Sequence, residues 1–272
     1  MDATGSRYTH GHHESVLRAH RWRTAENSAA YLLPHLEPGT SLLDVGCGPG
    51  TITVDLAERV APGRVTAVEL TESALALARA EAARCSQTNI DFAVADAHHL
   101  DFPDDTFDVV HAHQVLQHLS DPVRALREMG RVCAPGGLVA ARDSDYAGFT
   151  WFPALPELQE WLALYRELAR ANGGEPDAGR RLLSWAQAAG FSEITPTAGV
   201  WCFATPEDRH WWSSTWAERV LNSQMAEEAV ASGVASTADL RRISDGWLAW
   251  GAREDGWLCI VHGEIVCRVT GS

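Results

Sequence analysis

Apolar positions in this chain follow two alternating rhythms. Short runs at Leu42-Leu43, Arg64 to Glu69, Ile90 to Asp96, Phe107 to His111 and Leu138 to Ala141 have strand length, and most end at a polar residue. Between them apolar residues recur every three or four positions, as in Ile52, Leu56 and Val60, in Leu75, Leu77 and Ala78, and in Val123, Leu126 and Met129. The first rhythm predicts buried strands and the second predicts helices with one apolar face. Their alternation from 40 to 143 predicts right-handed strand-helix-strand crossovers, and so an α/β fold with a mostly parallel, doubly wound sheet.

The flanks read differently. Residues 1–38 give a short helix through Val16, Leu17 and His20 and another from Ala25 to Leu33, closed by Pro34 and Pro38-Gly39, so they predict an N-terminal helical flap. After position 146, Leu158, Trp161, Leu162, Tyr165 and Leu168 mark an amphipathic helix that Asn172-Gly173-Gly174 ends. A further helix runs from Arg180 to Ala189, and Ile194 to Ala204 reads as a sixth strand. A long helical pattern from Pro206 to Glu254 then precedes a last β segment at Trp257 to Val261 and Ile265 to Cys267.

Chemistry concentrates at the carboxyl ends of the strands, where open α/β sheets bind their ligands. Asp44 ends the first strand and leads into a loop with glycines at 46, 48 and 50. Glycine there lets the backbone turn tightly and lets a ligand lie against bare peptide. Glu69 ends the second strand about 20 residues further on, where an acidic residue takes ribose hydroxyls in nucleotide-binding folds. An ionised carboxylate has two acceptor oxygens to match a vicinal diol. Asp96 ends the third strand, His113 and Gln114 follow the fourth, and Asp143 follows the fifth.

The spacing Asp44-x-Gly46-x-Gly48-x-Gly50, with Thr51 where a dinucleotide fingerprint has its third glycine, resembles motif I of the class I S-adenosylmethionine-dependent methyltransferases. Phe107-Asp108-Val109-Val110 and Val115-Leu116-Gln117-His118-Leu119 are similar to the ubiquinone/menaquinone-biosynthesis (methyltransferase type 11) branch, although Gln117-His118 stands where that branch often has His-His. The resemblance covers residues 40 to 143. It implies a seven-stranded Rossmann-like methyltransferase fold, a cofactor-binding core at 39–145, and S-adenosyl-L-methionine as cofactor. It implies cofactor contacts from Asp44, Gly46, Cys47, Gly48, Gly50, Glu69, Leu70, Asp96, Ala97, His113 and Gln114. Within that set Glu69 takes the ribose, Asp96-Ala97 the adenine and Asp44 the methionine amino group, while Asp96 also reads as a helix N-cap. In this family the sixth and seventh strands usually form a hairpin. The stretch 206–254 should therefore project as a cap inserted before the last strand, within a third segment at 146–272.

Composition narrows the acceptor. A formal net charge of −14 argues against a nucleic-acid partner, since a polyanion is repelled. Nor is there an Asn-Pro-Pro-Tyr motif after the fourth strand, which the family's nucleobase- and amide-directed members carry. No apolar run approaches the length of about 20 residues that spans a bilayer, and no signal-peptide core is visible, so a cytoplasmic protein is expected. The six cysteines are scattered, which favours reduced thiols, and the histidines at 10, 12, 13 and 20 lack a metal-ligand partner set. Eleven tryptophans, concentrated after position 150, point to an aromatic cap.

The acceptor is therefore expected to be an apolar or aromatic small molecule of secondary or quinone-like metabolism, methylated at carbon, oxygen or an amine. Tyr8, Arg23, Trp151 and Trp212 are the candidate substrate contacts. His12, His113, Tyr8 and Asp143 are the candidate catalytic groups, the histidines because their neutral form is available near pH 7. Two other readings stand beside this one. An NAD(P)-dependent oxidoreductase is disfavoured by Thr51 and by Ala169 where a Tyr165-x-x-x-Lys pair would end, and a catalytically inactive cofactor-binding module by the intact motif residues. Oligomeric state is not fixed by the sequence, and a homodimer is left open.

Overall fold

The computed structural model describes residues 14–271. Five strands, β1 (Leu42–Val45), β2 (Val65–Glu69), β3 (Ile90–Val94), β4 (Phe107–His113) and β5 (Cys133–Ser144), lie parallel in the order β3-β2-β1-β4-β5. Helices α3 (Thr51–Val60), α4 (Glu72–Arg84) and α5 (Pro122–Val132) make the crossovers. Two of them start at a side-chain cap: Thr71 caps α4 by accepting from the Ala74 amide, and Asp121 caps α5 by accepting from that of Arg124 ahead of Pro122.

Both faces of this sheet are covered, which explains why its strands read as continuous apolar runs. Leu42, Val109 and Leu138 point to one core with Ile52, Leu56 and Leu32. Their neighbours Leu43, Val110 and Val139 point to the other, with Leu126, Met129 and Leu182.

The sheet is completed by β8 (Trp257–Arg268), antiparallel to β5, and β7 (Glu193–Phe203), antiparallel to β8. Among the described residues the sheet has eight strands and not seven. Residues 262–268 of β8 suffice to pair with β5, and its leading residues 257–259 pair instead with a short strand, β6 (Thr150–Phe152), which the chain forms just beyond β5. Where the sequence suggested two final β pieces, β8 is one strand running through Gly263. A Cβ there would lie 1.9 Å from the Gly179 carbonyl oxygen, so glycine at 263 marks a close backbone crossing and not a break.

Helix is shorter than the apolar spacing suggests at two places, after β4 at Val115, Leu116 and Leu119 and in the run from Ala25 to Leu33. The stretch after β4 is a 3-10 turn at Leu116–His118 entered through Gln114, whose φ of 54° is left-handed. The run from Ala25 is a four-residue helix, α2 (Ala25–Ser28), followed by a 3-10 turn at Leu33–His35 with Pro34 at its start.

Ahead of α2 lies α1 (Glu14–Arg21). Between β6 and β7 come α6 (Pro156–Ala171) and α7 (Leu182–Ala189), and between β7 and β8 three helices, α8 (Pro206–Asn222), α9 (Gln224–Ala231) and α10 (Thr237–Gly251). These last three pack with α6 around a third core holding Trp161, Trp212, Trp216, Trp247 and Trp250. Trp161 sits 4.5 Å from Trp216 and 4.9 Å from Trp247, ring centroid to centroid, edge to face in both pairs. Helix α1 leans on α8, with an ion pair from Arg18 to Glu218. Just after it, Trp22 meets Trp201 at 5.2 Å, Phe203 at 5.4 Å and Trp211 at 5.5 Å.

Among the described residues no helix is long and apolar enough to cross a membrane.

Candidate active site

A cavity of about 1180 Å3 opens over the carboxyl ends of β1, β2 and β4 and runs on beneath α8. It sits at the switch point, where β1 turns to β2 on one side and to β4 on the other. The glycine loop forms its floor. Gly46, Gly48 and Gly50 all have positive φ, at 70°, 56° and 85°. Two of them are fixed by neighbours: a Cβ at 46 would meet Val115 Cγ2 at 2.4 Å, and one at 50 would meet Ala78 Cα at 2.9 Å. Gly48 differs, since a Cβ there would meet no atom of the described residues within 4 Å and Gly48 lines the cavity.

Carboxylates ring the loop. Glu69 accepts from the Gly48 amide through Oε1 at 2.8 Å and from the Leu70 amide through Oε2 at 3.1 Å, which ties the end of β2 to the glycine turn. Buried Asp44 accepts from Thr53 Oγ1 at 2.6 Å and from His111 Nδ1 at 2.9 Å. A carboxylate only accepts, so His111 carries its hydrogen on Nδ1. Sequence reasoning missed both buttresses. The signal was a histidine inside the buried Val109 to Ala112 run, where an unpaired imidazole is costly. Asp96 accepts through Oδ1 from both the amide and Nδ1 of His98, at 2.8 and 2.9 Å.

At the junction of the two halves stands His113, buried at 7% exposure, with neither ring nitrogen hydrogen-bonded. Burial, helped by the nearby Arg142 and Arg23 charges, holds it well below the usual histidine range, so the ring is neutral. Gln114 donates to Ser144 Oγ at 2.7 Å and to His262 Nε2 at 3.0 Å. Beyond them the cavity is walled by Tyr146, Phe149, Trp201, Trp212 and Trp216, with Arg23 and Arg219. Trp201 donates its indole N–H to the Asn27 carbonyl at 2.7 Å, which locks the ring between flap and cap.

The cavity thus brings together Asp44, Gly46, Cys47, Gly48, Glu69, Leu70, Asp96, Ala97, His113, Gln114, Arg23 and Trp212. Gly50 stands behind the loop against Ala78. Asp143 is fully buried and accepts from the Gln117 amide at 3.1 Å, holding the turn after β4 from behind and away from the cavity lining. Trp151 lies on β6, half-buried against the cap core, and does not line the cavity. Tyr8 and His12 lie outside the described residues. Tyr146, Phe149, Trp201, Trp216 and Arg219 join the lining from segments that no motif marked, and His118 joins it from the motif after the fourth strand. Among the described residues no group of three or more His, Cys, Asp and Glu side chains is placed to hold a metal ion.

Comparison with known proteins bears on what this cavity holds. A family model described as a methyltransferase domain matches residues 43–141. Over 96% of its own length and 96% of the relative's, the chain is 38% identical to an uncharacterized methyltransferase of Schizosaccharomyces pombe. The chain belongs to the S-adenosylmethionine-dependent methyltransferase family. This methyltransferase is also 36% identical to a demethylmenaquinone methyltransferase of Staphylococcus aureus, over 47% of this chain and 50% of the relative. In fold it is similar to a phosphoethanolamine N-methyltransferase of Haemonchus contortus, with a TM-score of 0.55 at 18% identity, covering 87% of this chain and 50% of that one. The α/β sheet, the enzyme class and S-adenosylmethionine as cofactor follow from that membership.

The residues fit this cofactor. The space over Gly48 is left open to the cavity, and Glu69, Asp44 and Asp96 line it as carboxylate acceptors of the kind that a diol and two amino groups would need. Helix α3 begins with Thr51, where a dinucleotide fingerprint has its third glycine.

Proposed function

We propose that this methyltransferase methylates a carbon, oxygen or amine nucleophile on an apolar or aromatic small molecule bound in the half of the cavity under the cap. One observation carries the reading: the floor of glycines and carboxylates is continuous with an aromatic chamber of Tyr146, Phe149, Trp201, Trp212 and Trp216, and His113 stands where they meet. The likeness to the Staphylococcus demethylmenaquinone methyltransferase supports an aromatic acceptor of the quinone kind.

The division of labour follows the chain. Residues 39–145 hold the cofactor, with Glu69 on the ribose, Asp96 and Ala97 on the adenine, and Asp44 on the methionine amino group. The cap at 206–254 and the flap at 1–38 select the acceptor. When bound, S-adenosylmethionine supplies a methyl group on a sulfonium, with a neutral thioether as leaving group. The chain contributes orientation and exclusion of water, which suffice for much of the acceleration when the nucleophile is held in line. His113 in its neutral form accepts a hydrogen bond or a proton from the nucleophile.

Glu69→Ala is expected to weaken S-adenosylhomocysteine binding by about 1.5–3 kcal/mol, since it removes charged acceptors and frees the Gly48 amide. Isothermal titration of a variant with a wild-type melting curve measures this, and unchanged affinity would sink the ribose assignment. His113→Ala should lower turnover about a hundredfold at unchanged cofactor affinity, because the ring faces the chamber and not the glycine loop. A matched loss of cofactor affinity would instead make His113 a cofactor contact.

The reading as a whole is tested by offering the enzyme a panel of phenols, naphthols, quinols and aromatic amines beside aliphatic polyols and amines, with product mass as readout. Methylation confined to the polar aliphatic members would overturn it.

A further inference from the structure

The cysteines are far apart in sequence and all are free thiols. The sheet nevertheless sets two of them directly opposite each other, Cys202 on β7 against Cys259 on β8. Residues opposed in this way put their side chains on the same face of the sheet. Trp201 and Phe203, the chain neighbours of Cys202, and Leu258 and Ile260, those of Cys259, are buried in the cap core, so both thiols stand on the other face. Cys202 is exposed there, as is Val200 two positions before it, and Cys259 is covered beside it at 9% exposure.

The pair is also of the closer kind. Antiparallel strands are hydrogen-bonded at alternate residues, and on β8 the Val261 carbonyl accepts from the Asp145 amide on the β5 side. Val261, and with it Cys259 two positions earlier, therefore turns its backbone groups away from β7. Pro196 agrees from the other strand: it has no N–H to give to β8, stands opposite Ile265, and lies an even number of residues from Cys202 in an unbroken register. Cys202 and Cys259 thus form a non-hydrogen-bonded pair, whose Cα atoms lie about 4.5 Å apart. That is within the range a disulfide bridges without movement of the backbone. Burial raises the Cys259 thiol, and the Cys202 thiol beside it adds to the rise.

We propose that Cys202 and Cys259 are an oxidisable thiol pair, which a peroxide converts to a cross-strand disulfide at the base of the cap. The exposed Cys202 thiolate attacks one oxygen of hydrogen peroxide, the O–O bond breaks, and the released hydroxide takes a proton to become water. Cys259 then attacks the sulfur of the Cys202 sulfenic acid, the S–O bond breaks, the S–S bond forms, and the Cys259 proton leaves with the hydroxide as a second water. Two thiols are oxidised and one peroxide is reduced to two waters. Because β7 ends one residue beyond Cys202 and Cys259 is the third residue of β8, the new bond closes α8, α9 and α10 into a ring. A closed loop of that length has less conformational freedom to gain on unfolding, so the oxidised protein is the more stable form.

The full chain, reduced and freed of reductant, is treated with hydrogen peroxide in slight excess and its remaining thiols are alkylated. Mass spectrometry is expected to show the loss of two alkylatable thiols and of the mass of two hydrogens, with fragmentation placing the bond between Cys202 and Cys259 and not at Cys267 on the same strand. The bond should form in Cys267→Ser and be absent from Cys202→Ser and from Cys259→Ser, with Cys259→Ala used if the serine variant does not fold. The melting temperature of the oxidised wild type should rise by at least about 5 °C and return on addition of dithiothreitol. A bond to any other cysteine, a disulfide between two chains, a Cys202 sulfenic acid that dimedone traps with Cys259 still free, or an unchanged melting temperature would each overturn the proposal.

Discussion

Gly48→Val should abolish S-adenosylhomocysteine binding while the protein still melts cooperatively. The reason is the contrast among the three loop glycines. Side chains at 46 and 50 would strike Val115 and Ala78, so substitution there disturbs the fold. A Cβ at 48 would meet no described protein atom within 4 Å, and Gly48 lines the cavity where the cofactor is proposed to lie. The left-handed φ of 56° adds a backbone cost of about 1–2 kcal/mol for a non-glycine residue, which a protein of this size tolerates. Titration calorimetry beside a circular-dichroism melt separates the two effects. Gly48→Ala carries the same backbone cost with a smaller intrusion and should retain part of the affinity. Near wild-type binding by the valine variant would mean that the loop does not wrap the ligand.

Asp143→Asn is the second substitution with a large expected effect, and it acts on stability. Burial lifts the Asp143 carboxyl from 3.8 to about 8, whereas the unfolded chain releases that proton near its ordinary value. Between these limits the native state holds one proton more than the unfolded state, so this group lowers stability by about 1.4 kcal/mol for each pH unit gained, and the loss levels off above 8. Asparagine keeps an acceptor for the Gln117 amide and has nothing to ionise. The variant should therefore gain on the wild type steadily from pH 5 to pH 8, reaching on the order of 3–5 kcal/mol.

Urea unfolding at pH 5, 6.5 and 8 reads the difference, and a gap that does not vary with pH would refute the account. The comparison must be made variant against wild type. His113, His118 and His262 are all held below the ordinary histidine value, so both proteins lose stability together as pH falls below about 6.5, where the unfolded chain takes up protons that the folded rings refuse.

How much of this was legible in the sequence depended on how far apart the cooperating residues lie. The sheet and the glycine loop are short-range features: alternating periods, a turn that only glycine adopts, and polar residues where strands end. They could be read one segment at a time. The acceptor chamber could not, because Arg23, Tyr146, Trp201 and Arg219 come from four segments whose meeting is set by the cap's packing. Tryptophan shows the difficulty well. Trp247 and Trp250 close the cap's own core while Trp212 and Trp216 reach the cavity, yet all four sit on helices at spacings that predict one buried face. Periodicity tells which face is covered and not whether protein or ligand covers it. Asp143 was misleading for a related reason. Its place just beyond the apolar run Leu138 to Ala141 marked it as chemistry, and only its burial behind the turn after β4 separates it from the residues that face the cavity.

The route by which the chain enters and leaves the cap has a consequence for engineering. Phe203, at the end of β7, is paired directly with Leu258, near the start of β8, so the whole of α8, α9 and α10 hangs from two neighbouring positions on adjacent strands. A module with abutting ends is spliced at a single seam. A foreign cap, or a plain hairpin turn, needs only to bridge one strand-to-strand gap of about 5 Å, without lengthening or re-registering either strand. On the proposed reading, an exchange of 206–254 between relatives would replace the Trp212, Trp216 and Arg219 side of the chamber and leave the cofactor half as it stands.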